Sequence, residues 1–396
     1  MNIVVAETVL LGEEAFSTLG EVQVVPDREI APYHLKDADA LIIRSKTRVH
    51  ERLLAESPVR FVGTATAGFD HLDTRYLDRS EIAWCAAPGC NANSVAEYLV
   101  AALLELHHRH GIVLEGRSIG IVGVGEVGSR VAEKAEALGM RVLINDPPLE
   151  AMARTPDFSA RVDPQRYGGF RPLDEVLARS EIVTLHVPLT DEKPWPTRGL
   201  ARCPFFENMR PGSIFINTCR GEVVDPEALT CALDNGIVEY AVLDVWDPEP
   251  EIPLGLLERA ELGTPHIAGY SWEGALNGTV ACYHAACRFF ERSACWPVVE
   301  FVPDPPQPRL ELETRGRDRE DVLAEAVRSV YDIARDDATL REYALPDDAQ
   351  RGSCFDRLRR EYDRRREFFN TRVRLRDDPP GLAGKLRGIG FKADPE

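Results

Sequence analysis

The stretch SIGIVGVGEVGSRVAEKAEALGMRVLINDPP, residues 118–148, decides the architecture. It opens on a β-branched run, passes through Gly123, Gly125 and Gly128 as G-x-G-x-x-G, takes up a helical period and ends on a second strand, RVLIND. Strand, glycine turn, helix and strand in this order make the phosphate-binding unit of a dinucleotide fold. Gly123 permits the tight turn, Gly125 lets the backbone approach a pyrophosphate, and Gly128 lets helix and strand pack closely. Asp146 closes the second strand, where it can accept hydrogen bonds from ribose hydroxyls. Pro147 and Pro148 follow it and offer no positive partner to a 2′-phosphate, so NAD is expected rather than NADP.

The same rhythm runs outward in both directions. Before the glycine motif stand NIVVA, EVQVV, ALIIRS, VRFVGTA and EIAWCA; after it stand EIVTLHVP, SIFINT and VEYAVLDVW, with helical segments between. This predicts two α/β domains with parallel sheets, Rossmann-like or flavodoxin-like. Helices are expected over 93–110 and 273–292, and residues 147–172, rich in Pro, Gly and Arg, read as a surface excursion. The prolines of WPVVEFVPDPPQP mark a linker into a small α+β domain. That domain is expected to hold the strand RLELET, helices over 318–335 and 354–369, a further strand and a short final helix. The expected domains are 1–95 with 268–296, then 96–267, then 297–396.

Of 396 residues 44% are hydrophobic, enough to fill a core in each domain. Acidic residues (65) outnumber Lys and Arg (47), and the net charge of −18 argues against nucleic acid or an anionic membrane as partner. The N-terminus lacks a basic leader, and the longest apolar stretch is broken by Glu97 and Glu105; a cytoplasmic chain without a membrane span is expected. Nine cysteines form no C-x-x-C pair and no metal-ligand pattern, which predicts buried, reduced thiols and no metal. In FDRLRREYDRRREFF, Asp356, Glu361, Asp363 and Glu367 interleave the arginines at helix-pair spacing, predicting a salt-bridged solvated or intersubunit face.

A hydride acceptor needs beside it a base for the hydroxyl proton, a partner for that base, and a cation for a substrate carboxylate. Arg220 in INTCRGEVVD, Asp244 and Glu249 in VLDVWDPEP, and His266 in TPHIAGY all follow predicted strands, where ligands bind in open α/β sheets. Arg220 suits a carboxylate through its fork of donors, and Glu249 paired with His266 would orient the imidazole. In the first domain, RSKTRV gathers Arg44, Ser45, Lys46 and Arg48 at a strand end near the turn TATAGFD with Thr66 and Gly68. That cluster is either an anion site or a solvated strand end.

These segments, GVGEVG with Asp146, INTCRGEVVD, VLDVWDPEP and TPHIAGY in order, resemble the D-isomer-specific 2-hydroxyacid dehydrogenases over residues 1–295. APGCNANSVAEY, the DPP after the second strand, HIAGYSWEG and the tail segments VYDIARDDATLR and LRGIGF resemble a branch that oxidises a phosphorylated hydroxy acid and carries a C-terminal dimerisation domain. The resemblance implies that Arg220 and Glu249 are catalytic and that His266 exchanges the proton. It implies NAD contacts from Gly123, Gly125, Glu126, Val127, Gly128, Asp146, Val187, Thr218, Cys219, Arg220, Asp244 and Gly269, and substrate contacts from Ser45, Thr66 and Tyr270. It also implies a homodimer through residues 297–396. The rival expectations are a D-3-phosphoglycerate dehydrogenase and a non-catalytic NAD-sensing protein on the same fold.

Overall fold

The computed structural model describes residues 1–153, 161–344, 351–377 and 380–394. The chain forms two compact units, residues 1–92 with 270–304 and residues 93–269 with 305–396. The tail therefore belongs to the same unit as the central sheet.

In the first unit, β1 (Asn2–Ala6), β2 (Glu21–Val25), β3 (Ala40–Ile43), β4 (Phe61–Thr64) and β5 (Ala83–Cys85) pair in parallel in the order β2-β1-β3-β4-β5. This is the flavodoxin-like order. Buried Ile, Val, Leu and Ala fill both faces of β1 and β3, and Phe61, Val62 and Thr64 are buried on β4, as a covered parallel sheet requires. Helix Trp272–Phe289 packs on β4 so closely that a Cβ on Gly278 would stand 2.5 Å from the Ala65 carbonyl. The buried Tyr283 hydroxyl accepts from the Cys295 and Trp296 amides at 3.0 and 3.1 Å and shares a 2.9 Å bond with Thr18 Oγ1.

In the second unit, β6 (Ser118–Val122), β7 (Arg141–Asn145), β8 (Ile182–Leu185), β9 (Ser213–Asn217), β10 (Val238–Leu243) and β11 (Leu262–Gly263) form a parallel sheet in the order β11-β10-β9-β8-β6-β7. Strand β6 lies between β7 and β8, so the direction of winding reverses beside it. A ligand crevice opens outside the strand ends at such a reversal, and the glycine turn follows β6. Helix Ala92–His110 is buried along most of its length.

The tail adds β12 (Arg309–Glu313), β13 (Arg372–Arg376) and β14 (Lys392–Asp394), again all parallel. It packs into the core of the central sheet: Leu340, Ala344 and Phe355 join the cluster that holds Trp246, Leu256 and Leu257. It also covers the short edge strand, because Asp337 accepts from the Gly263 amide at 2.7 Å and Arg341 donates to the Leu257 and Ala260 carbonyls at 2.9 and 2.7 Å.

Several expectations from the sequence need correction. The helix expected over 318–335 divides into Arg319–Arg328 and Ile333–Ala344. The one expected over 354–369 runs instead over Arg351–Arg360, and Arg365, Arg366 and Glu367 beyond it are buried rather than solvated. Glu367 accepts 2.7 Å bonds from Asn93 and Ser94, and the Phe368 amide donates to Glu97. Charges aimed inward at fixed partners mimic the spacing of an exposed ion-paired helix. Within the excursion the chain forms helix Pro147–Met152 and a 3₁₀ turn Pro164–Tyr167, while residues 154–160 lie outside the described residues. All nine cysteines are free, but only Cys219, Cys282 and Cys287 are buried as expected; Cys85, Cys90 and Cys354 are half-buried, and Cys203, Cys231 and Cys295 are exposed. No helix among the described residues is long and apolar enough to cross a membrane.

Replacing Tyr283 by Phe keeps the ring and leaves the Cys295 and Trp296 amides without their acceptor. We expect a loss of about 2 kcal/mol, read as a lower midpoint in chemical denaturation with an unchanged slope.

Candidate active site

Every candidate of the second unit follows the carboxyl end of a strand. After β6, Gly123 has φ 87°, and a Cβ there would lie 2.6 Å from the His186 carbonyl, so the turn demands glycine. A Cβ on Gly125, in contrast, would meet no atom within 4 Å. The loop is thus tight on its protein side and open at the position where a pyrophosphate would lie, next to the N-terminus of helix Glu126–Ala137. Asp146 ties this loop to the end of β7: one carboxylate oxygen accepts from the Val124 amide at 2.9 Å and the other caps Leu149 at 3.0 Å. The Glu126 side chain is held by Arg130 at 3.1 Å and Arg161 at 2.6 Å, and Glu126 and Val127 are the first two residues of the helix, whose amides have no partner within the helix itself. These residues fit a dinucleotide.

Beyond β8 and β9, Val187 borders Gly123, and Thr218 Oγ1 lies 3.5 Å from His186 Nδ1. Burial pushes the His186 imidazole down to about 3, so it is a neutral spacer, bonded through Nε2 to Thr184 at 3.0 Å. Burial pushes the Cys219 thiol up to about 11, and its sulfur sits 3.1 Å from Asn217 Oδ1. Arg220 is half-buried; Nη1 donates to the Cys219 carbonyl at 2.7 Å, and its own carbonyl accepts from Asn217 at 3.0 Å. The next residue must be glycine, because a Cβ on Gly221 would collide with the Trp246 carbonyl. That close approach seats the turn holding Arg220 against the loop holding Glu249.

His266 Nδ1 lies 2.8 Å from Glu249 Oε2, and Glu249 Oε1 accepts from the Trp246 amide at 3.0 Å. Burial alone would raise the Glu249 carboxyl, but the His266 charge and hydrogen bond, Arg359 and the Trp246 amide hold it below the usual carboxylate value. The backbone of His266 is left-handed, φ 56°, a conformation that costs a non-glycine residue about 1 kcal/mol. Asp244 sustains it. Fully buried, that side chain accepts from Thr264 Oγ1 at 2.7 Å and from the Ile267 and Ala268 amides at 2.7 and 2.9 Å, while its carbonyl accepts from the His266 amide at 2.7 Å. Burial raises the Asp244 carboxyl against the pull of His266 and these donors. The structure thus places Asp244 beneath the histidine loop, and Gly269 at the loop's end. Thr264, the Trp246 amide and Arg359 are parts of the site that the sequence reading missed.

In the first unit, Ser45 is exposed just beyond β3, and Thr66 lies just beyond β4. Thr66 Oγ1 shares a 2.7 Å bond with Thr64 and donates to the Gly68 carbonyl at 2.8 Å. The Arg44 guanidinium stands 5.5 Å from the Tyr270 ring centre. Lys46 is half-buried and Arg48 exposed.

A sequence model of the D-isomer specific 2-hydroxyacid dehydrogenase NAD-binding domain matches residues 96–268, and one of a domain of unknown function matches residues 301–390. The chain belongs to the D-isomer specific 2-hydroxyacid dehydrogenase family and is an NAD-dependent dehydrogenase. It is 43% identical to the erythronate-4-phosphate dehydrogenase of Cronobacter sakazakii, over 99% of this chain and 98% of that one, and 42% identical to that of Escherichia coli over the same shares. The D-lactate dehydrogenase of Aquifex aeolicus, solved with NAD and lactic acid, superposes with a TM-score of 0.61 at 26% identity, covering 73% of this chain and 96% of its own.

Two glycine substitutions should separate folding from cofactor binding. Gly125→Val, facing open space, should lower the melting temperature only by the cost of a poorer helix cap, about 1 kcal/mol, but weaken NAD binding at least about tenfold, since it fills the backbone's approach to the pyrophosphate. Gly123→Ala should lower thermal stability, because its Cβ meets the His186 carbonyl at positive φ. Fluorescence titration with NADH and differential scanning calorimetry report the two effects.

Proposed function

We propose that this enzyme oxidises 4-phospho-D-erythronate to 2-oxo-3-hydroxy-4-phosphobutanoate with NAD, a step of pyridoxal and pyridoxine phosphate biosynthesis. The reading is carried by the extent of the likeness: 99% of the chain aligns with erythronate-4-phosphate dehydrogenases, whereas the lactate dehydrogenase accounts for 73%.

In this reading Arg220 holds the substrate carboxylate through its forked donors and polarises the adjacent oxygen. His266, whose Nδ1 is engaged by Glu249, accepts the hydroxyl proton of carbon 2 at Nε2. NAD, when bound along the glycine loop, supplies the hydride acceptor. Glu249 remains a carboxylate and stabilises the imidazolium that forms, while Asp244 keeps the loop from relaxing out of its left-handed turn. Asp146 serves the adenosine ribose, the amides of Glu126 and Val127 the pyrophosphate, and Val187, the 218–220 turn and Gly269 line the cofactor. Ser45, Thr66 and Tyr270 contact the substrate. We further propose a cytoplasmic homodimer built through residues 297–396, for which sedimentation equilibrium should return twice the chain mass.

The test is NADH formation from NAD with 4-phosphoerythronate or 3-phosphoglycerate, with a 2-oxo acid acceptor added to regenerate any cofactor that stays bound. Turnover of phosphoerythronate, reduced about 10²–10⁴-fold in His266→Ala, is expected. Preferred turnover of 3-phosphoglycerate would keep the chemistry and replace the substrate. NAD binding without turnover of any hydroxy acid would overturn the reading.

Glu249 also links stability to pH. Its carboxyl lies below the usual value, so the stability it contributes is present above the unfolded-state pKa and is lost as pH falls through the lower folded value. The melting temperatures of wild type and Glu249→Gln should therefore differ at neutral pH and converge in acid. The same variant should lose about 10²-fold in kcat.

A further inference from the structure

The backbone that carries His266 is gripped from two sides. Asp244 holds its amides, and its carbonyls are held by a residue of the tail. Arg365, 7% exposed, donates from Nη2 to the Ala268 carbonyl at 2.7 Å and to the Ser94 carbonyl at 2.8 Å, and Nη1 reaches the Ile267 carbonyl at 3.4 Å. Its guanidinium lies 4.1 Å from the Tyr331 ring centre. Burial disfavours a charge there, but Tyr331, Tyr362, Glu97 and Asp336 outweigh it and keep the group protonated. Tyr362 is itself fixed by a 2.9 Å bond to Asp336. One guanidinium nitrogen, Nη2, thus bridges carbonyls on two chain segments, and the planar group lying on the Tyr331 ring holds it in place, a fixed geometry that a flexible ammonium does not reproduce.

We infer that Arg365 is a positioning residue for the dehydrogenase reaction: it fixes the 266–268 loop, and through that loop His266, in the geometry the proton transfer requires. The kinetic part of this inference rests on the proposed role of His266; the mechanical part does not. Asp244 alone leaves the carbonyl side of the loop without an anchor, and the left-handed residue would relax once that side is released. A base displaced by about an ångström costs on the order of a hundredfold in rate.

The test uses the full chain and three variants. Arg365→Met removes fork and charge, Arg365→Lys keeps the buried charge without the fork, and Arg341→Met cuts comparable tail-to-carbonyl bonds at Leu257 and Ala260, away from the histidine. Hydrogen exchange at amides 266–269 should quicken about tenfold or more in both Arg365 variants and stay at the wild-type rate in Arg341→Met. With phosphoerythronate, kcat should fall about tenfold or more in the Arg365 variants and stay near the wild-type value in Arg341→Met. Should Arg365→Met fail to fold, Arg365→Lys carries the test. Unchanged exchange in a folded Arg365 variant, or equal losses in Arg341→Met, would overturn the inference. If the wild type does not turn over phosphoerythronate, the substrate assignment fails, and the exchange measurement still decides whether Arg365 fixes the loop.

Discussion

A single buried carboxylate organises the catalytic side of this molecule. Asp244 sits fully desolvated at the end of β10, and three donors meet it there: a threonine hydroxyl and two consecutive amides of the loop after β11. A buried carboxylate is costly unless its oxygens are satisfied, and satisfying them dictates the loop's path. That path turns left-handed at His266 and presents the imidazole to Glu249. The same threonine bonds to Tyr98 on the long central helix, so the constraint extends from loop to core.

The parallel sheet gathers what the sequence scatters. Arg220, Glu249 and His266 lie 29 and then 17 positions apart in the chain, yet each follows the carboxyl end of one of three adjacent strands, β9, β10 and β11. The glycine loop lies at the same edge, where the winding reverses between β7 and β8. Protein atoms crowd Gly123 and none crowds Gly125, so the loop is rigid by steric necessity yet open to a ligand. Fold and site are two readings of one topology.

How much was legible in advance follows from how local each signal is. The βαβ unit is written in consecutive residues, and its glycines and Asp146 stand where strand, turn and helix spacing put them. Arg220, Glu249 and His266 were legible as residue types at strand ends, although the 2.8 Å pairing of the last two needed the structure. Asp244 was legible as a strand-end acid but not as the support of the loop, because its partners are mostly backbone amides, which every residue possesses. Arg365 was hidden for a related reason. Its targets are carbonyls, and it shares an apparent helical pattern with Asp363, which is exposed, so periodicity cannot report that Arg365 and Glu367 face inward.

The tail's place in the same compact unit as the central sheet bears on how such a protein can be remodelled. Arg365, Glu367, Asp337 and Arg341 are each matched to backbone or side-chain partners between residues 93 and 268. A recombination joint at residue 304, attractive because the chain there is a proline-rich connector, would separate these pairs. A chimera that gives the tail to another dehydrogenase must therefore transplant a mated set of inward-facing charges from both sides of the joint.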